Sequence, residues 1–264
     1  MIEIRELHTI PELEAVVDVQ EIVWGLNPRN AVPSALLHVL ALRGGIVLGA
    51  YDAQQMVGIL LALPAHDTQS GEWILWSHMT GIIASHQGQG VGTSLKRSQR
   101  EWALQHGYRK IGWTFDPLQR GNAHFNFRIL GKDAAMLSNT YHVNFYGDMD
   151  DDINRGIPSD RIEAMWHLDQ PSLHSATDSK GIVLLSVGDN LQPICATLEQ
   201  AWDCPAYYVA LPPDLSAIRR ISQESVLTWR IALRETLQAA LTHGYTIVDF
   251  RTSSEASQYV LKRI

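Results

Sequence analysis

Cysteine is nearly absent from this chain, with only Cys195 and Cys204 among its 264 residues. Two thiols cannot build the dense disulfide framework of a small secreted fold, so we interpret both as reduced. The chain also lacks an excess of positive charge, because 21 basic and 28 acidic residues give a net charge of −7. A negative chain has no general attraction for nucleic acid or for an anionic membrane. We therefore predict neither as a partner.

Long apolar runs are missing as well. The first residues, 1–6, lack the apolar core of a signal peptide. No run approaches the roughly 20 apolar residues that a membrane-spanning helix needs. The hydrophobic positions, 45% of the chain, suffice for the core of one large domain or two modest ones. We expect a soluble, cytoplasmic protein.

Motifs for metal and covalent chemistry are also missing. The eleven histidines include no HExxH motif and no paired metal-ligand spacing. No GxSxG nucleophile elbow is present. Four aspartates within 148–152 lack the glycine and the distal glutamate of a calcium loop, so we interpret them as a solvated turn. The sequence predicts no metal and no acyl-enzyme.

The apolar pattern predicts the order strand, two helices, three antiparallel strands, helix, strand, helix and two further strands in the first part of the chain. The strands are expected at 2–7, 46–51, 56–63, 73–84, 110–115, 141–146 and 161–168, and the helices at 11–23, 34–42, 91–106 and 121–130. The polar stretch 169–181 has no periodicity and is predicted to be a linker. It separates an N-terminal domain, 1–168, from a smaller α/β domain, 182–264.

Gly88, Gly90 and Gly92 lie between a predicted strand and a predicted helix. Glycine lets the backbone approach a phosphate closely, and the first amides of a helix carry partial positive charge. These residues therefore predict an anion site. A phosphate loop of the Gly-Lys-Ser/Thr type is excluded because Thr93 follows the last glycine. A dinucleotide loop stays open since Asp116 ends the next strand, although its third glycine is missing and the preceding strands look antiparallel.

The sequence Gln-Gly-Gln-Gly-Val-Gly at 87–92 resembles the Arg/Gln-x-x-Gly-x-Gly/Ala signature of the GNAT superfamily of N-acetyltransferases. The predicted element order around it is that of the family, and 122–131 resembles the family's later helix, which closes in Leu-Gly. The resemblance covers about 1–168 and is closest to a bacterial branch with a C-terminal extension. It implies an α/β (α+β) fold with a mixed, mostly antiparallel sheet flanked by helices.

The smaller C-terminal region is a candidate degenerate half of the same fold. Residues 103–108, Ala-Leu-Gln-His-Gly-Tyr, match 240–245, Ala-Leu-Thr-His-Gly-Tyr, 137 positions later. A decayed duplication or the common ending of two amphipathic helices would explain the match. The glycines of 88–92 have no counterpart at 225–229, so we expect no coenzyme site in the second domain.

The resemblance implies that acetyl-CoA, or another acyl-CoA, is the co-substrate and that an amine attacks its thioester directly. A small-molecule amine is preferred over a protein lysine because no acidic peptide-binding tract is present, and a homodimer stays open. The implied coenzyme contacts lie on the strand end, the loop and the later helix: Thr80, Gly81, Ile82, Ile83, Gln87, Gly88, Gln89, Gly90, Val91, Gly92, Thr93 and Asn122.

His78 is the predicted general base, because a regular strand would place it on one face with Trp76 and Thr80, near the thioester. A core histidine bonded to backbone is an equally good interpretation. Glu72, His66 and His86 are the other candidates near the strand and loop.

The acid that returns a proton to the thiolate is a tyrosine in much of the family, but Phe127 stands at that position. We predict that Tyr146 takes this role, with Tyr141 or water as alternatives. Phenylalanine here also favours a rival interpretation, a non-catalytic acyl-CoA-binding or regulatory module.

Overall fold

The computed structural model describes residues 1–25, 30–68, 70–147, 156–174, 180–196, 202–252 and 256–264. The chain divides into two units, Met1–Trp113 and Thr114–Ile264. The boundary between these units, after Trp113, does not coincide with the predicted linker at 169–181. The domain boundaries 1–168, 169–181 and 182–264 stay a prediction. The aspartate run 148–152 lies outside the described residues.

The first unit contains a five-stranded sheet and three helices. Its strands, in spatial order, are β1 (Ile2–Glu6), β2 (Ile46–Asp52), β3 (Gln55–His66), β4 (Trp73–Ile82) and β5 (Lys110–Phe115), whose last two residues belong to the second unit. Strands β1 to β4 pair antiparallel and β5 runs parallel to β4. The helices are α1 (Ile10–Trp24), α2 (Ser34–Leu42) and α3 (Val91–Gln105). The predicted elements of this part are confirmed to within a few residues.

Local chemistry explains where α1 begins and ends. The carboxylate of Glu12 accepts a hydrogen bond from the N–H of Thr9 at 3.0 Å, which satisfies a donor at the helix start. Gly25 ends the helix with φ at +61°, a conformation that glycine adopts without strain. The helix buries Leu13 and Val16 in the core. The capping residues and the apolar face of α1 therefore explain the helix that the sequence predicts here.

The second unit contains a seven-stranded sheet, and the fold class is confirmed as mixed α/β with mostly antiparallel strands. The strands are β6 (Ala135–His142), β7 (Arg161–His167), β8 (Ile182–Val187), β9 (Pro193–Cys195), β10 (Tyr207–Leu211), β11 (Thr246–Thr252) and β12 (Ser257–Lys262). Their spatial order is β7-β6-β11-β12-β10-β8-β9. The helices are α4 (Arg120–Ala123), which continues as a π turn to Ile129 and a 3₁₀ turn to Lys132, α5 (Leu215–Ile221) and α6 (Gln223–Thr242).

Two elements of the second unit differ from the prediction. The apolar pattern of 215–243 predicts one long helix. The structure breaks it at Ser222, whose backbone is extended and whose hydroxyl accepts from the N–H of Ser225 at 3.0 Å. The strand expected at 141–146 ends at His142, because Asn144 takes a φ of +48° and starts a turn. Strands β9 and β12 were not predicted.

The two matching hexapeptides form the same helix ending. Gly107 follows α3 with φ at +84°, and Gly244 follows α6 with φ at +82°. In each case the tyrosine after the glycine donates its N–H back to an alanine carbonyl, at 2.9 Å for Tyr108 and 3.1 Å for Tyr245. Beyond this motif the sheets differ, because β12 separates β10 from β11 whereas β4 and β5 are neighbours. The structural similarity between the two segments is therefore limited to the end of a helix. A duplication stays a prediction.

None of the helices in the described ranges combines the length and apolar character that crossing a bilayer would need.

Candidate functional site

The glycine turn between β4 and α3 depends on glycine at two positions. Gly88 and Gly90 have φ values of +74° and +84°, which side chains rarely tolerate. No other atom lies within 4 Å of where their Cβ atoms would stand, so the turn faces open space. Gly92, by contrast, lies inside the first turn of α3. The turn thus has its shape because of its first two glycines.

The start of α3 presents unpaired backbone donors. The first bond within the helix runs from the N–H of Ser94 to the carbonyl of Gly90, at 3.0 Å. The amides of Val91, Gly92 and Thr93 precede it and have no acceptor inside the helix. No acidic side chain stands in this first turn to neutralise the positive end of the helix. This arrangement suits an anion.

Gln87 and Gln89 support the turn. The amide of Gln87 donates to the carbonyl of Ile82 at 3.0 Å, and that of Gln89 donates to the carbonyl of Ser85 at 2.8 Å. Both side chains thus bond to the backbone of their own segment. Their position in the signature has a structural explanation, since they fix the turn that positions the helix amides.

Strand β4 has an open edge. It pairs with β3 along its length, but in the described part of the chain it pairs with β5 only through Leu75–Ile111 and Trp76–Gly112. From Ser77 to Ile82 the edge away from β3 pairs with no strand of the described ranges, and we call these residues the open edge of β4. A ligand with amide groups could pair there as another strand would.

The hydrogen bonds to β3 reduce the number of residues on β4 whose backbone groups could contact the coenzyme. The N–H of Ile83 donates to the carbonyl of Val57 at 3.0 Å, so it is not available to a ligand. The backbone N–H and C=O groups of alternate residues point to the same neighbouring strand. Those of Gly81 therefore also point to β3, whereas those of Thr80 and Ile82 point to the open edge. Glycine at 81 has its own explanation, because a Cβ there would lie 2.6 Å from the ring of Trp24.

His78 lies in a β-bulge. Leu61 pairs with Met79 and Ala62 pairs with Ser77, so His78 is an extra residue on β4. The regular alternation used to predict its face is therefore interrupted there. The side chain is exposed, yet partial burial lowers the pKa of its imidazole below the usual 6.5. No hydrogen-bond partner of His78 occurs in the part of the chain that the structure describes, and a neutral imidazole is free to accept a proton.

The other base candidates have partners. Glu72 forms an exposed ion pair with Lys110, whose hydrogen bond lowers the pKa of the carboxyl group. His86 bonds to the hydroxyl of Ser85 at 2.9 Å and lies 3.4 Å from Asp52. His66 packs edge-on against the ring of Trp73, with 5.4 Å between the centroids.

Lys96 is a residue that the sequence analysis missed. It is 4% exposed, its Nζ donates to the hydroxyl of Ser77 at 2.8 Å, and it lies 3.9 Å from the ring centroid of Trp113. Burial lowers the pKa of its ammonium group to about 7. The sequence gives no signal for this burial, because a lysine on an amphipathic helix is normally solvated.

The remaining predicted site residues belong to the second unit. Asn122 is exposed in the first turn of α4, whose cap is Gln119, and its contact with the coenzyme stays a prediction. Phe127 is fully buried and packs edge-on against the rings of Phe115 and Tyr259. It can neither reach solvent nor release a proton.

The two tyrosines considered as acids differ in availability. Tyr141 donates to the carboxylate of Asp160 at 2.7 Å, and burial raises the pKa of its hydroxyl far above the usual 10. Tyr146 is 53% exposed, in the turn after β6 rather than on a strand, with the guanidinium of Arg161 over its ring at 5.2 Å. Of the two, Tyr146 keeps an accessible hydroxyl.

Asp116, the residue that kept a dinucleotide site open, is buried and engaged. Its carboxylate forms two bonds with the guanidinium of Arg230, at 2.7 and 3.0 Å, and accepts from the N–H of Leu118 at 2.9 Å. A ribose-binding carboxylate must reach the ligand, whereas this one stabilises the interior of the second unit.

Removing this carboxylate is expected to destabilise the second unit. Asp116→Ala would leave the fully buried Arg230 without its partner, and the free energy of unfolding should fall by about 3–5 kcal/mol. Urea unfolding followed by tryptophan fluorescence measures this. Arg220→Ala is the control, because it removes an exposed ion pair with Asp214 and should change stability by less than about 1 kcal/mol. Equal losses in both variants would contradict the prediction.

Comparisons with known proteins agree with this geometry. Residues 16–131 match the model of the acetyltransferase (GNAT) family. N-acetyltransferase 8F1 of Rattus norvegicus is 33% identical over 72 residues, which are 27% of this chain and 33% of that protein. The chain thus matches about a third of the length of this curated relative.

Solved structures share the fold at low sequence identity. The Salmonella typhimurium protein yncA, with its cofactor acetyl-CoA, has a TM-score of 0.51 and 16% identity, covering 67% of this chain and 98% of that one. The ribosomal-protein-S18-alanine N-acetyltransferase of Escherichia coli has a TM-score of 0.50 and 12% identity, covering 67% and 100%. Residues 16–131, which contain the glycine turn and the open edge of β4, are thus similar to the acetyltransferase (GNAT) family.

Proposed function

We propose that this chain is an N-acyltransferase that moves an acyl group, acetyl in the first instance, from acyl-CoA to the primary amine of a small molecule such as an amino acid. One observation carries the proposal: in the first unit, unpaired amides at the start of α3 directly follow the strand with the open edge. The helix amides could bind the phosphates of coenzyme A, and the open edge could bind its amide-containing arm.

The residues present fit coenzyme A. The amides of Val91, Gly92 and Thr93 would hold its pyrophosphate, because a helix start with no acidic residue stabilises an anion. The backbone of Thr80 and the N–H of Ile82 would bond its pantetheine amides along the open edge, since the carbonyl of Ile82 already accepts from Gln87. When bound, the coenzyme supplies a thioester, whose carbonyl carbon is open to attack by an amine.

His78 would remove the proton from the attacking amine. The nitrogen forms the new amide bond as the carbon–sulfur bond breaks, and the sulfur leaves with the electron pair of that bond. The unpartnered, neutral imidazole supports this role. Tyr146 stays the predicted acid, because it is 53% exposed, whereas Phe127 is fully buried and Tyr141 is bonded to Asp160.

A calorimetric titration tests the proposal. Acetyl-CoA is expected to bind with one molecule per chain, whereas NAD should give no heat of binding, since Asp116 is engaged by Arg230. A screen of small amines for release of free thiol then tests turnover. Binding of NAD without acetyl-CoA would overturn the proposal in favour of a dinucleotide-binding protein.

A second candidate is a non-catalytic acyl-CoA-binding module, which the buried Phe127 favours. It predicts the same titration as the enzyme, because the glycine turn serves binding alone. It differs in the amine screen, where acetyl-CoA would bind but no amine would release thiol.

A further inference from the structure

The ammonium group of Lys96 is buried in the first unit, and no carboxylate among the described residues pairs with it. Its bond to the Ser77 hydroxyl and its contact with the Trp113 ring are the interactions that the structure gives it. Burying a charge is unfavourable, and an apolar side chain of similar length would fit the core at lower cost. Stability alone therefore does not explain a lysine here.

The location of this group relates it to the open edge of β4. Trp76 and Gly112 form the last pair between β4 and β5. Ser77 is the next residue on β4 and Trp113 the next on β5, and Lys96 contacts both. The side chain thus lies where the two strands stop pairing.

A second polar side chain on the same helix supports this interpretation. Gln99 is fully buried, and neither atom of its amide has a hydrogen-bond partner in the part of the chain that the structure describes. Such a group lowers stability. The face of α3 that packs on the sheet therefore contains two polar residues where a helix selected for stability alone would have apolar ones.

We propose that Lys96 is a positioning residue, which holds Ser77 and thereby the bulge that contains His78. The inference rests on the proposed function for its catalytic consequence. Ser77 directly precedes the extra residue of the bulge, so anchoring its side chain limits the orientations of the next peptide. Without the anchor, the bulge has more conformations and the imidazole meets the amine less often in a productive geometry.

The test is Lys96→Met, which removes the amine and keeps the length of the side chain. The midpoint of urea unfolding should not fall, because a buried charge is replaced by an apolar group. Amide hydrogen exchange at Ser77–Met79 should nevertheless become faster than in the wild-type protein. Turnover should decrease by about 10- to 100-fold while KM for acetyl-CoA stays nearly constant, because the amides of α3 are untouched. Lys132→Met makes the same change at an exposed site and should alter none of these values.

A double-mutant cycle separates positioning from a general effect on the fold. If Lys96 acts through the bulge, the loss in Lys96→Met and the loss in His78→Ala should not add in the double variant. Additive losses, or wild-type exchange and turnover in Lys96→Met, would overturn the inference. Failure of the wild-type protein to bind acetyl-CoA would instead reject the proposed function, and exchange at Ser77–Met79 would still decide whether Lys96 holds the bulge.

Discussion

Replacing Gly90 with glutamate is expected to weaken acetyl-CoA binding by about 100-fold, through backbone strain and repulsion at the helix start. Gly90 caps α3 with φ at +84°, which a side chain adopts only with strain. The new carboxylate would also stand beside the amides of Val91 to Thr93, where the pyrophosphate should bind. Calorimetric titration of the purified variant measures the change.

The other end of the same helix provides a matched control. Gly107 also has a φ of +84°, and no atom lies within 4 Å of its missing Cβ. Gly107→Glu should therefore lose a similar amount of stability, about 1–2 kcal/mol, without loss of binding. Gly90→Ala separates strain from charge and should bind more tightly than Gly90→Glu. Wild-type affinity in Gly90→Glu would place the coenzyme elsewhere.

His78→Ala is expected to lower turnover by about 10²–10⁴-fold, the usual contribution of a placed proton acceptor. Affinity for acetyl-CoA should stay nearly unchanged, because the side chain is not part of the glycine turn. The pKa of His78 is lowered below 6.5, so its imidazole is neutral above that pH and becomes protonated only below it. Wild-type kcat/KM should accordingly fall on an acidic limb below pH 6.5, and this limb should disappear in the variant.

Steady-state release of free thiol, measured across pH with one amine, provides these values. His66→Ala examines the neighbouring alternative and should retain turnover. In the same assay, Tyr146→Phe tests the proposed acid. A wild-type rate in His78→Ala would reject His78 as the base, and an equal loss in His66→Ala would move the assignment to β3.

The glycine turn was predictable because its signal is local. Gly88 and Gly90 are needed for the backbone conformation of a few consecutive residues, whatever the rest of the chain does. The predicted strand and helix around them followed from periodicity in the same way. The bulge at His78 was not predictable, since it depends on how β4 pairs with β3, and the register of two strands is not encoded in either alone.

Lys96 and Ser222 show two other limits of sequence reasoning. A lysine on an amphipathic helix is normally interpreted as solvated, and only packing shows that Lys96 points into the core. Ser222 interrupts a helical pattern whose apolar spacing continues on both sides, so the break follows from tertiary context. Tyr146 was misplaced because a residue with positive φ, Asn144, ends β6 early.

The extra residue in β4 also affects how this chain is compared with its relatives. A strand without the bulge can be aligned to β4 up to Ser77 or from Met79 onward, but a one-residue gap is needed to satisfy both. An alignment without that gap would shift Thr80 and Ile82 by one position and assign their backbone groups to the wrong side of the strand. For a relative whose strand lacks the bulge, residue roles transferred along β4 are therefore correct only when the gap is placed at His78.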